Sequence, residues 1–373
     1  MQPTDFIPAR YAQDALRMVE ALKGMDRIVV AGHVNPDGDA AGSVAAAGHI
    51  LRAMGKEFML YAAPGMPRYL GFFPMPAVVH TSLAHPPFTP QCALLLDCGE
   101  PERLGSELAA LLPQLDTVNI DHHLGGNGMG SRGNWVVTEA AATAQLMAYV
   151  AMAADLPLTG DLGLSVALGL LTDTGGFCHG NTSADVLAMA SHLVANGCQL
   201  HWLREKMDND WSLGRWRLWG LLMERAAVEH HGQIGFCPVS LKDLGRCQAL
   251  KEDLEGFVEQ LRRLRGVKVA ALLREEAPKL CKFSLRSYGS IDVRAMAADM
   301  GGGGHFNAAG GTLRLPLKKA GEELLRHIAL RLDGWAPELP ETPSSSEAPK
   351  KPEAREKQHA PDHEDVAENS AQG

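Results

Sequence analysis

The stretch that decides the fold covers residues 27–43 and reads RIVVAGHVNPDGDAAGS. It opens with a short apolar run rich in β-branched side chains, which predicts a buried strand. A proline and a glycine then interrupt the pattern before a helix of small residues begins near Ala40. His33, Asp37 and Asp39 are therefore predicted in the turn at the carboxyl end of a strand, where open parallel α/β sheets place their chemistry.

This turn admits two interpretations. One imidazole and two carboxylates in a short loop repel one another and lose hydration unless cations join them. The simpler interpretation is a helix N-cap, in which Asp37 or Asp39 accepts hydrogen bonds from the first turn of the following helix. A cap needs one Asp and no His, so the sequence favours a metal site. Its remaining ligands are then expected at the ends of neighbouring strands.

Further acidic and imidazole residues follow two more predicted strands and one predicted helix, with the last of them placed in a loop. They are Asp97, Asp121, His122, His123 and Asp173. Each has an ordinary structural explanation, such as a helix cap for Asp97 or a buried core histidine for His122. The carboxyl ends of parallel strands share one edge of the sheet, however, so these groups can converge on a single site.

The chemistry of this set favours a particular kind of metal centre. Carboxylates and imidazoles without cysteine suit Mn²⁺, leave Mg²⁺, Fe²⁺ and Co²⁺ open, and disfavour a thiolate-rich structural zinc site. So many carboxylates indicate two cations close together. Such a pair activates a water molecule and clamps the oxygens of a phosphoryl group, so phosphoester hydrolysis is the predicted reaction.

A second motif, GGGGH at residues 301–305, indicates the kind of substrate. Glycines let a ligand approach the backbone, and successive N–H groups before a helix bind anions; a flexible loop or a helix C-terminus is the alternative. The residues expected to line this pocket are Arg286, Ser287, Gly302, Gly303, Gly304, His305 and Asn307. We predict a site for a phosphate and a nucleotide that faces the metals across a cleft.

Composition narrows the class of protein. The seven cysteines are scattered without a CxxC pair, which predicts reduced thiols in a cytoplasmic protein. The N-terminus carries no apolar signal core, and no apolar run reaches the length of about 20 residues that a membrane-spanning helix needs. The net charge of −9 argues against a protein that coats long nucleic acids.

Strands that alternate with helices predict an α/β fold with a parallel, doubly wound sheet. We expect a catalytic domain over residues 1–197 and a helical connector over 198–230, whose tryptophans are a candidate contact in a homodimer. A smaller α/β substrate-binding domain is expected over 231–336. Residues 337–373 are rich in Pro, Glu, Ser, Lys and Ala, which predicts a disordered tail.

In combination, these motifs resemble the DHH phosphoesterase superfamily, named for the triplet found here at residues 121–123. The segments that carry the likeness are GHVNPDGDAAGS, LLLDCGE, DHH, TDTGGF and GGGGHFNAAGG. Within that superfamily, the chain is most similar to the bacterial nanoRNase and pAp phosphatase group, which has a DHH-associated C-terminal domain.

The resemblance implies a role for each matching residue. One metal ion is implied to bind His33, Asp37 and Asp97, and a second is implied to bind Asp39, Asp97, His122 and Asp173. Asp121 is implied to orient the histidines, and His123 to contact the scissile phosphate or the leaving group. The substrate phosphate or base is implied to bind Arg286, Gly303, Gly304 and His305. The chain departs from the family pattern at two places: Val137-Thr138 stand in place of Asp-Pro, and Gln145 stands in place of Glu. Both departures concern substrate preference more than metal binding.

The activity implied by the resemblance is Mn²⁺-dependent hydrolysis of short RNA oligonucleotides (nanoRNA) to mononucleotides, and of 3′-phosphoadenosine 5′-phosphate (pAp) to AMP. A cyclic-dinucleotide or linear-dinucleotide phosphodiesterase on the same two domains is the main alternative. A manganese inorganic pyrophosphatase would share the first domain, but the GGGGH motif fits a nucleotide better. A non-catalytic nucleotide-binding regulator is disfavoured because the ligand set is complete. Cleavage polarity, base preference and oligomeric state are left open.

Overall fold

The computed structural model describes residues 6–123, 128–209 and 211–334, except for the side chain of His305. The predicted tail, residues 337–373, lies outside this description. Within the described ranges, none of the helices combines the length and the apolarity needed to span a bilayer.

The first sheet has six strands, all parallel to their neighbours. They are β1 (Ile28–Ala31), β2 (Phe58–Tyr61), β3 (Val79–His80), β4 (Cys92–Leu96), β5 (Asp116–Asp121) and β6 (Gly133–Val136), in the spatial order β3-β2-β1-β4-β5-β6. The order reverses between β1 and β4, and the carboxyl ends of strands at such a reversal open a crevice. The predicted parallel, doubly wound sheet is confirmed.

Seven α-helices accompany this sheet in the part of the chain that the structure describes. They are α1 (Ala9–Lys23), α2 (Gly38–Ala53), α3 (Ser106–Leu111), α4 (Thr143–Ala153), α5 (Gly160–Asp173), α6 (Ala184–Ala195) and α7 (Leu200–Asn209). The larger core lies between one face of the sheet and α1, α2, α4 and α5. The smaller core lies on the opposite face, where Leu104 and the α3 residue Leu108 pack against Val29 and Ala31 of β1.

Small residues bring α2 and α5 close together. A Cβ atom at Gly42 of α2 would lie only 2.4 Å from the carbonyl oxygen of Ser165 in α5, so no side chain fits there. The close approach of the two helices places the start of α2, with Asp39, beside the end of α5, with Asp173. The small residues of α2 therefore allow the predicted ligands Asp39 and Asp173 to lie side by side.

The buried face of α1 differs in one position from the expectation. The helical pattern predicts Leu16 on that face, but Leu16 is 53% exposed, and Met18 is buried instead. The reason is helical phase, since Met18 follows buried Ala15 by three residues and precedes buried Leu22 by four.

The second sheet also has six strands, but it is mixed. They are β7 (Ala227–Glu229), β8 (Ile234–Val239), β9 (Val269–Ala277), β10 (Leu280–Ser287), β11 (Gly303–His305) and β12 (Ala308–Leu313), in the order β11-β12-β10-β9-β8-β7. Strands β8 and β9 are parallel, and the other neighbouring pairs are antiparallel. The helices are α8 (Leu213–Arg225), α9 (Leu241–Cys247), α10 (Phe257–Arg262), α11 (Val293–Ala298) and α12 (Leu317–Asp333).

The helical connector divides its packing between the two cores. Leu203 of α7 is buried in the core of the first sheet, whereas Leu218 and Leu222 of α8 are buried against the second sheet. A direct contact also joins the two halves, because the backbone N–H of Arg68 donates to Oε2 of Glu252 over 3.3 Å. The exact domain boundaries given above remain a prediction.

Candidate active site

His33 leaves β1 and turns into the crevice between β1 and β4. Its Nδ1 atom donates to the carbonyl oxygen of Val34 over 2.9 Å, which leaves Nε2 facing two carboxylates. Nε2 lies 3.7 Å from Oδ2 of Asp37 and 3.5 Å from Oδ2 of Asp97. The side chain is buried, so its orientation is set by the Val34 carbonyl and by packing.

Asp37 combines the two roles that the sequence presents as alternatives. Its Oδ1 atom caps α2 by accepting hydrogen bonds from the backbone N–H groups of Asp39 and Ala40, at 3.0 and 3.1 Å. Its Oδ2 atom faces His33, and the side chain is 54% exposed. The cap therefore holds the second oxygen toward the crevice, where it can bind a cation.

Asp39 is completely buried and is held by the amino end of α4. The backbone N–H groups of Thr143 and Ala144 donate to its two oxygens over 2.6 and 2.9 Å, and Ser43 donates to Oδ1 over 3.3 Å. Burial and repulsion from Asp97 nevertheless raise the pKa of Asp39 to about 8. A positive charge beside this carboxylate would offset both effects.

Asp97 lies at the centre of the cluster. It follows β4 in a left-handed backbone conformation with φ of 54°, and it is almost completely buried. Its Oδ1 atom accepts from the hydroxyl of Thr143 over 3.2 Å and lies 3.4 Å from Nε2 of His122. Its Oδ2 atom faces His33, so each carboxylate oxygen is turned toward a different group of side chains.

His122 follows β5 and joins the residues on the far side of Asp97. Its Nδ1 atom donates to the carbonyl oxygen of Ala140 over 3.1 Å, which points Nε2 into the site. Nε2 lies 3.7 Å from Oδ2 of Asp39 and 3.3 Å from Oδ2 of Asp173. The expectation that Asp173 lies in a loop is wrong, because it is the last residue of α5.

Asp121 is a buried acceptor that holds both histidines. Its Oδ1 atom accepts from the backbone N–H groups of His122 and His123, at 2.8 and 3.2 Å, and from Nδ1 of His123 over 2.7 Å. Burial works against its charge, but the hydrogen bonds from His123 outweigh burial and hold the pKa of Asp121 below its ordinary value. The bond to Nδ1 turns the other ring nitrogen of His123 outward.

These side chains form three overlapping groups in which the facing atoms lie within 4.8 Å of one another. The groups are His33 with Asp37 and Asp97, Asp39 with His122 and Asp173, and Asp97 with His122 and His123. Metal–ligand bonds of roughly 2.0–2.2 Å place adjacent ligand atoms roughly 3–3.5 Å apart. The separations here of 3.3–3.7 Å exceed normal hydrogen bonds and lie within, or slightly above, that spacing.

The charge balance of the cluster also fits a cation. Burial lowers the pKa of His33, but Asp37 and Asp97 outweigh burial and raise that pKa to about 9. Burial and three neighbouring carboxylates raise the pKa of Asp173 well above its ordinary value. Without a metal, protons on these side chains supply the positive charge that the carboxylates require, and a divalent ion can replace them.

The predicted substrate residues of the second domain lie together, but they do different things. Arg286 donates from Nε to Oε1 of Glu259 over 2.8 Å and remains partly exposed. Ser287 is completely buried, and its hydroxyl donates to the carbonyl oxygen of Ile291 over 2.6 Å. Asn307 donates to the Ser287 hydroxyl over 2.8 Å. Ser287 and Asn307 therefore secure the turn after β10.

The glycine run has a different context from the expected one. We predicted backbone N–H groups ahead of a helix, but the run follows α11 and leads into the β11–β12 hairpin. A Cβ at Gly302 would lie 2.2 Å from the carbonyl oxygen of Gly310, and one at Gly304 would lie 2.5 Å from that of Ala308. A Cβ at Gly303 would meet nothing within 4 Å. Packing thus explains Gly302 and Gly304, and Gly303 faces open space.

Two groups of residues near the site were missed at the level of sequence. Thr143 contacts both Asp39 and Asp97. A threonine near the start of the predicted helix was the feature of the sequence that could have indicated this role. Tyr288 is exposed, and its ring carries the Arg262 guanidinium at 3.9 Å from the ring centroid. This stacked pair lies directly after Ser287, but nothing in the spacing of the sequence indicated it.

Glu255 connects the two halves of the site electrostatically. Burial among protein atoms raises the pKa of its carboxyl, and repulsion from Glu259 and from Asp37 adds to the effect. Arg286 acts in the opposite direction on the same carboxyl. Glu255 is therefore close enough to Asp37 of the metal cluster and to Arg286 of the second domain for the charges of both to act on its carboxyl.

A parallel α/β domain with a buried Asp–His cluster, joined to a second α/β domain, defines the protein as a hydrolytic phosphoesterase. Residues 27–170 match the model of the DHH family N-terminal domain, and residues 247–332 match that of the DHHA1 domain. The chain belongs to the DHH family.

Two relatives show how far the similarity extends. The Thermus thermophilus protein named bifunctional oligoribonuclease and PAP phosphatase NrnA is 33% identical over 323 residues, covering 86% of this chain and 94% of the relative. The Mycoplasma genitalium protein of the same name is 24% identical over 299 residues, covering 78% and 90%. An exopolyphosphatase-related protein from Bacteroides fragilis has the same fold, with a TM-score of 0.76, 24% identity, and coverage of 86% of this chain and 96% of that one.

Proposed function

We propose that the protein hydrolyses short RNA oligonucleotides to mononucleotides and pAp to AMP. The observation that carries the proposal is Asp97, a buried carboxylate whose two oxygens each face a separate group of candidate metal ligands. The relatives named as oligoribonucleases and PAP phosphatases support the substrate class.

Two Mn²⁺ ions are the proposed cofactors, with Mg²⁺, Co²⁺ or Fe²⁺ as other candidates. The residues that would hold them are His33, Asp37 and Asp97 for one ion, and Asp39, Asp97, His122 and Asp173 for the other. When bound, such a pair lowers the pKa of a water molecule and neutralises the phosphoryl oxygens. The ligand set of carboxylates and imidazoles supports this choice of ions.

The other residues of the cluster would position the substrate and move a proton. Asp121 fixes Nδ1 of His123, so Nε2 is the atom that can contact the scissile phosphate or protonate the leaving oxygen. Arg286 and Gly303 would bind a phosphate or a base on the second domain, together with His305, whose side chain is outside the description. The buried hydroxyl of Ser287 is assigned to supporting this surface.

A substrate panel tests the proposal. Purified protein with Mn²⁺ is incubated with pAp, with RNA of graded length and with cyclic di-AMP, and products are separated by chromatography. We expect mononucleotides from short RNA and AMP from pAp. Asp97→Asn should abolish both activities, because one carboxylate serves both ligand groups. Asp116→Asn, at the opposite end of the same sheet, is the matched control and should retain both.

Two outcomes of the panel would contradict the proposal. Cleavage of cyclic di-AMP in strong preference to pAp and short RNA would assign the cyclic-dinucleotide activity instead. Binding of these nucleotides without hydrolysis of any of them would indicate the nucleotide-binding regulator.

We also propose a cytoplasmic homodimer with the domain boundaries predicted from the sequence. The described cysteines are all free, which fits a reducing compartment. Trp216 of α8 is 68% exposed, which supports the connector as a contact surface. Light scattering on the purified protein and on Trp216→Ala tests the dimer; a monomer at all concentrations would exclude it.

A further inference from the structure

Helix α8 carries an apolar stripe that the described part of the chain leaves uncovered. Leu213, Trp216 and Met223 are 61, 68 and 55% exposed, and they recur at the spacing of one helical face. The opposite face holds Leu218 and Leu222, which are buried against the second sheet. The stripe is therefore additional to the residues that anchor the helix, and large apolar residues grouped in this way mark an interaction surface.

Gly220 lies in the middle of this stripe. It is an exposed residue inside α8, and a Cβ atom there would meet nothing within 4 Å. Glycine destabilises a helix interior relative to alanine, and here neither a positive φ nor a contact within the described chain requires it. A missing side chain on an exposed helical face lets a second helix approach closely. Gly220 therefore indicates the point at which another helix crosses α8.

Two charged residues flank the stripe along one edge. Arg217 and Glu224 are both exposed, and neither forms an ion pair or a hydrogen bond with any residue that the structure describes. They are separated by about two turns of the helix, so they lie on the same edge of α8. Trp216 and Met223 have the same separation and lie along the other edge. Gly220 falls between the two members of each pair.

This arrangement is complementary to itself in one orientation. If a second copy of α8 crosses the first in the antiparallel direction at Gly220, a two-fold axis relates the helices and keeps both charged edges on the same side. Arg217 then lies opposite the partner's Glu224, and Trp216 lies opposite the partner's Met223. Each contact occurs twice, and sulfur–aromatic contacts are favourable. A parallel pair would instead set the charged edge of one helix against the apolar edge of the other.

The apolar surface continues beyond both ends of α8. At the start, the backbone of Ala249 packs against Gly214, and the next residue, Leu250, is exposed. At the end, Val228 of β7 is exposed as well. The antiparallel crossing brings the start of one helix to the end of the other, where these residues enlarge the contact. They are needed because α8 is only about 20 Å long, whereas a stable interface buries about 800 Å² of each partner.

We propose that two copies of the chain associate through α8, with the helices antiparallel and crossing at Gly220. The inference rests on the homodimer put forward with the proposed function, and it adds the contacting helix, its orientation and its pairing residues. Trp216 is the apolar anchor, since its ring centroid lies 6.1 Å from that of Trp211, which packs on Trp219 at 4.5 Å. The reciprocal ion pairs select the orientation more than they supply affinity, because exposed ion pairs contribute little energy.

Exchange of the two charges tests this pairing. Sedimentation velocity at graded concentrations of the full chain measures the dissociation constant (Kd) of the dimer. Arg217→Glu and Glu224→Arg should each raise Kd about tenfold, since each variant sets two pairs of like charges against each other. The double variant with both changes should return Kd to within about threefold of the wild-type value. Lys318→Glu, on α12 at the other face of the second sheet, is the matched control and should keep the wild-type Kd.

A longer side chain at the crossing tests its position. Gly220→Gln should abolish the dimer, because the helices can no longer approach each other. The same variant should fold normally, because the position is open in the single chain, and far-UV circular dichroism verifies this. Glutamine is used because alanine is small enough to remain in such a crossing.

Three outcomes would overturn the inference. A double variant that dissociates as readily as the single ones would show that Arg217 and Glu224 do not pair. A dimer that none of these changes weakens would place the contact elsewhere and leave the homodimer itself in place. A wild-type chain that is monomeric at all concentrations would exclude the homodimer too and assign the stripe to a different partner. Hydrolysis of pAp and short RNA by the same samples tests the proposed activity separately.

Discussion

Crowded carboxylates dominate the chemistry at the scale of single residues. Asp39 and Asp97 are buried close to each other, and the hydrogen bonds from α4 do not prevent their repulsion from raising the pKa of Asp39. Such an arrangement costs folding stability in the metal-free protein and favours binding of a cation. Function and stability are therefore opposed at these positions.

Asp39→Asn separates the two effects. The substitution removes one buried charge, so we expect the metal-free variant to unfold at the same temperature as the metal-free wild type or higher. The increase in Tm caused by Mn²⁺ should be much smaller, and hydrolysis should fall by at least about 10³-fold. Differential scanning fluorimetry with EDTA or Mn²⁺ measures the first two quantities. An undiminished Mn²⁺ effect on Tm would show that Asp39 is not a ligand.

Asp121→Asn tests a positioning role. Asp121 fixes the ring of His123 but stands outside the ligand groups, so the variant should lose about 10²–10⁴-fold in kcat while KM changes little. The Mn²⁺-induced increase in Tm should persist, because Asp121 lies outside the ligand groups. A loss of metal stabilisation equal to that in Asp39→Asn would contradict this assignment.

At the scale of elements, hydrophobic patterning was sufficient to predict the strands that precede the ligands. The runs before His33, Asp97 and the DHH triplet are short and mostly apolar, and the first and third contain several β-branched residues, so they are recognisable. The position of Asp173 could not be predicted from the local sequence pattern. Thr172 and Asp173 extend α5, and the hydroxyl of Thr172 donates to the carbonyl oxygen of Leu168. β6 was missed because it is a short edge strand, mostly partly exposed, with Trp135 as its one fully buried side chain.

The glycine run shows a different limit of sequence patterns. Its composition correctly marked a place of close backbone approach, but glycine tolerates so many conformations that it could not distinguish a helix start from a hairpin. The pairing of β11 with β12 makes the run part of a hairpin rather than a helix start. The identity of the pairing strand was therefore the missing information.

Gly42→Ala should disrupt the contact between α2 and α5. The new Cβ would lie 2.4 Å from the Ser165 carbonyl oxygen, so the helices must separate, and we expect a loss of about 1–3 kcal/mol in unfolding free energy together with most activity. Gly220→Ala is the matched control, since nothing lies within 4 Å of its Cβ on α8 and alanine favours helix by about 1 kcal/mol. Urea denaturation compares the two. Equal effects would contradict the packing argument.

A pair that joins α8 and α9 should make stability depend on pH. The Arg225 guanidinium donates two hydrogen bonds to Asp243 and lowers the pKa of that carboxyl from 3.8 to about 2. Because the pKa is depressed on folding, the stabilisation is present above about pH 4 and disappears as the pH falls toward 2. Asp243→Asn should cost about 1–3 kcal/mol at neutral pH, and the difference from wild type should narrow in acid. A difference independent of pH would rule out this origin.

At the scale of the whole molecule, the proposed active site combines elements from both halves of the chain. The metal cluster belongs to the first sheet, and the surface around Arg286 belongs to the second, with Glu255 near both. Metal ions that bind only the folded state stabilise it by mass action. EDTA should therefore lower Tm of the wild-type protein by several degrees, and added Mn²⁺ should restore it. An unchanged Tm would argue against a metal centre of this kind.

Helix α4 ties the innermost core to the chemistry. All eleven of its residues are buried, and its first two backbone N–H groups donate hydrogen bonds to Asp39. The aligned peptide dipoles of this helix thus act as a fixed partial positive charge within the centre. A substitution deep in the core, far from any ligand, would rotate that dipole and alter the affinity for the cation. Random mutagenesis for thermostability would consequently retune metal affinity as well, and the two traits would evolve together.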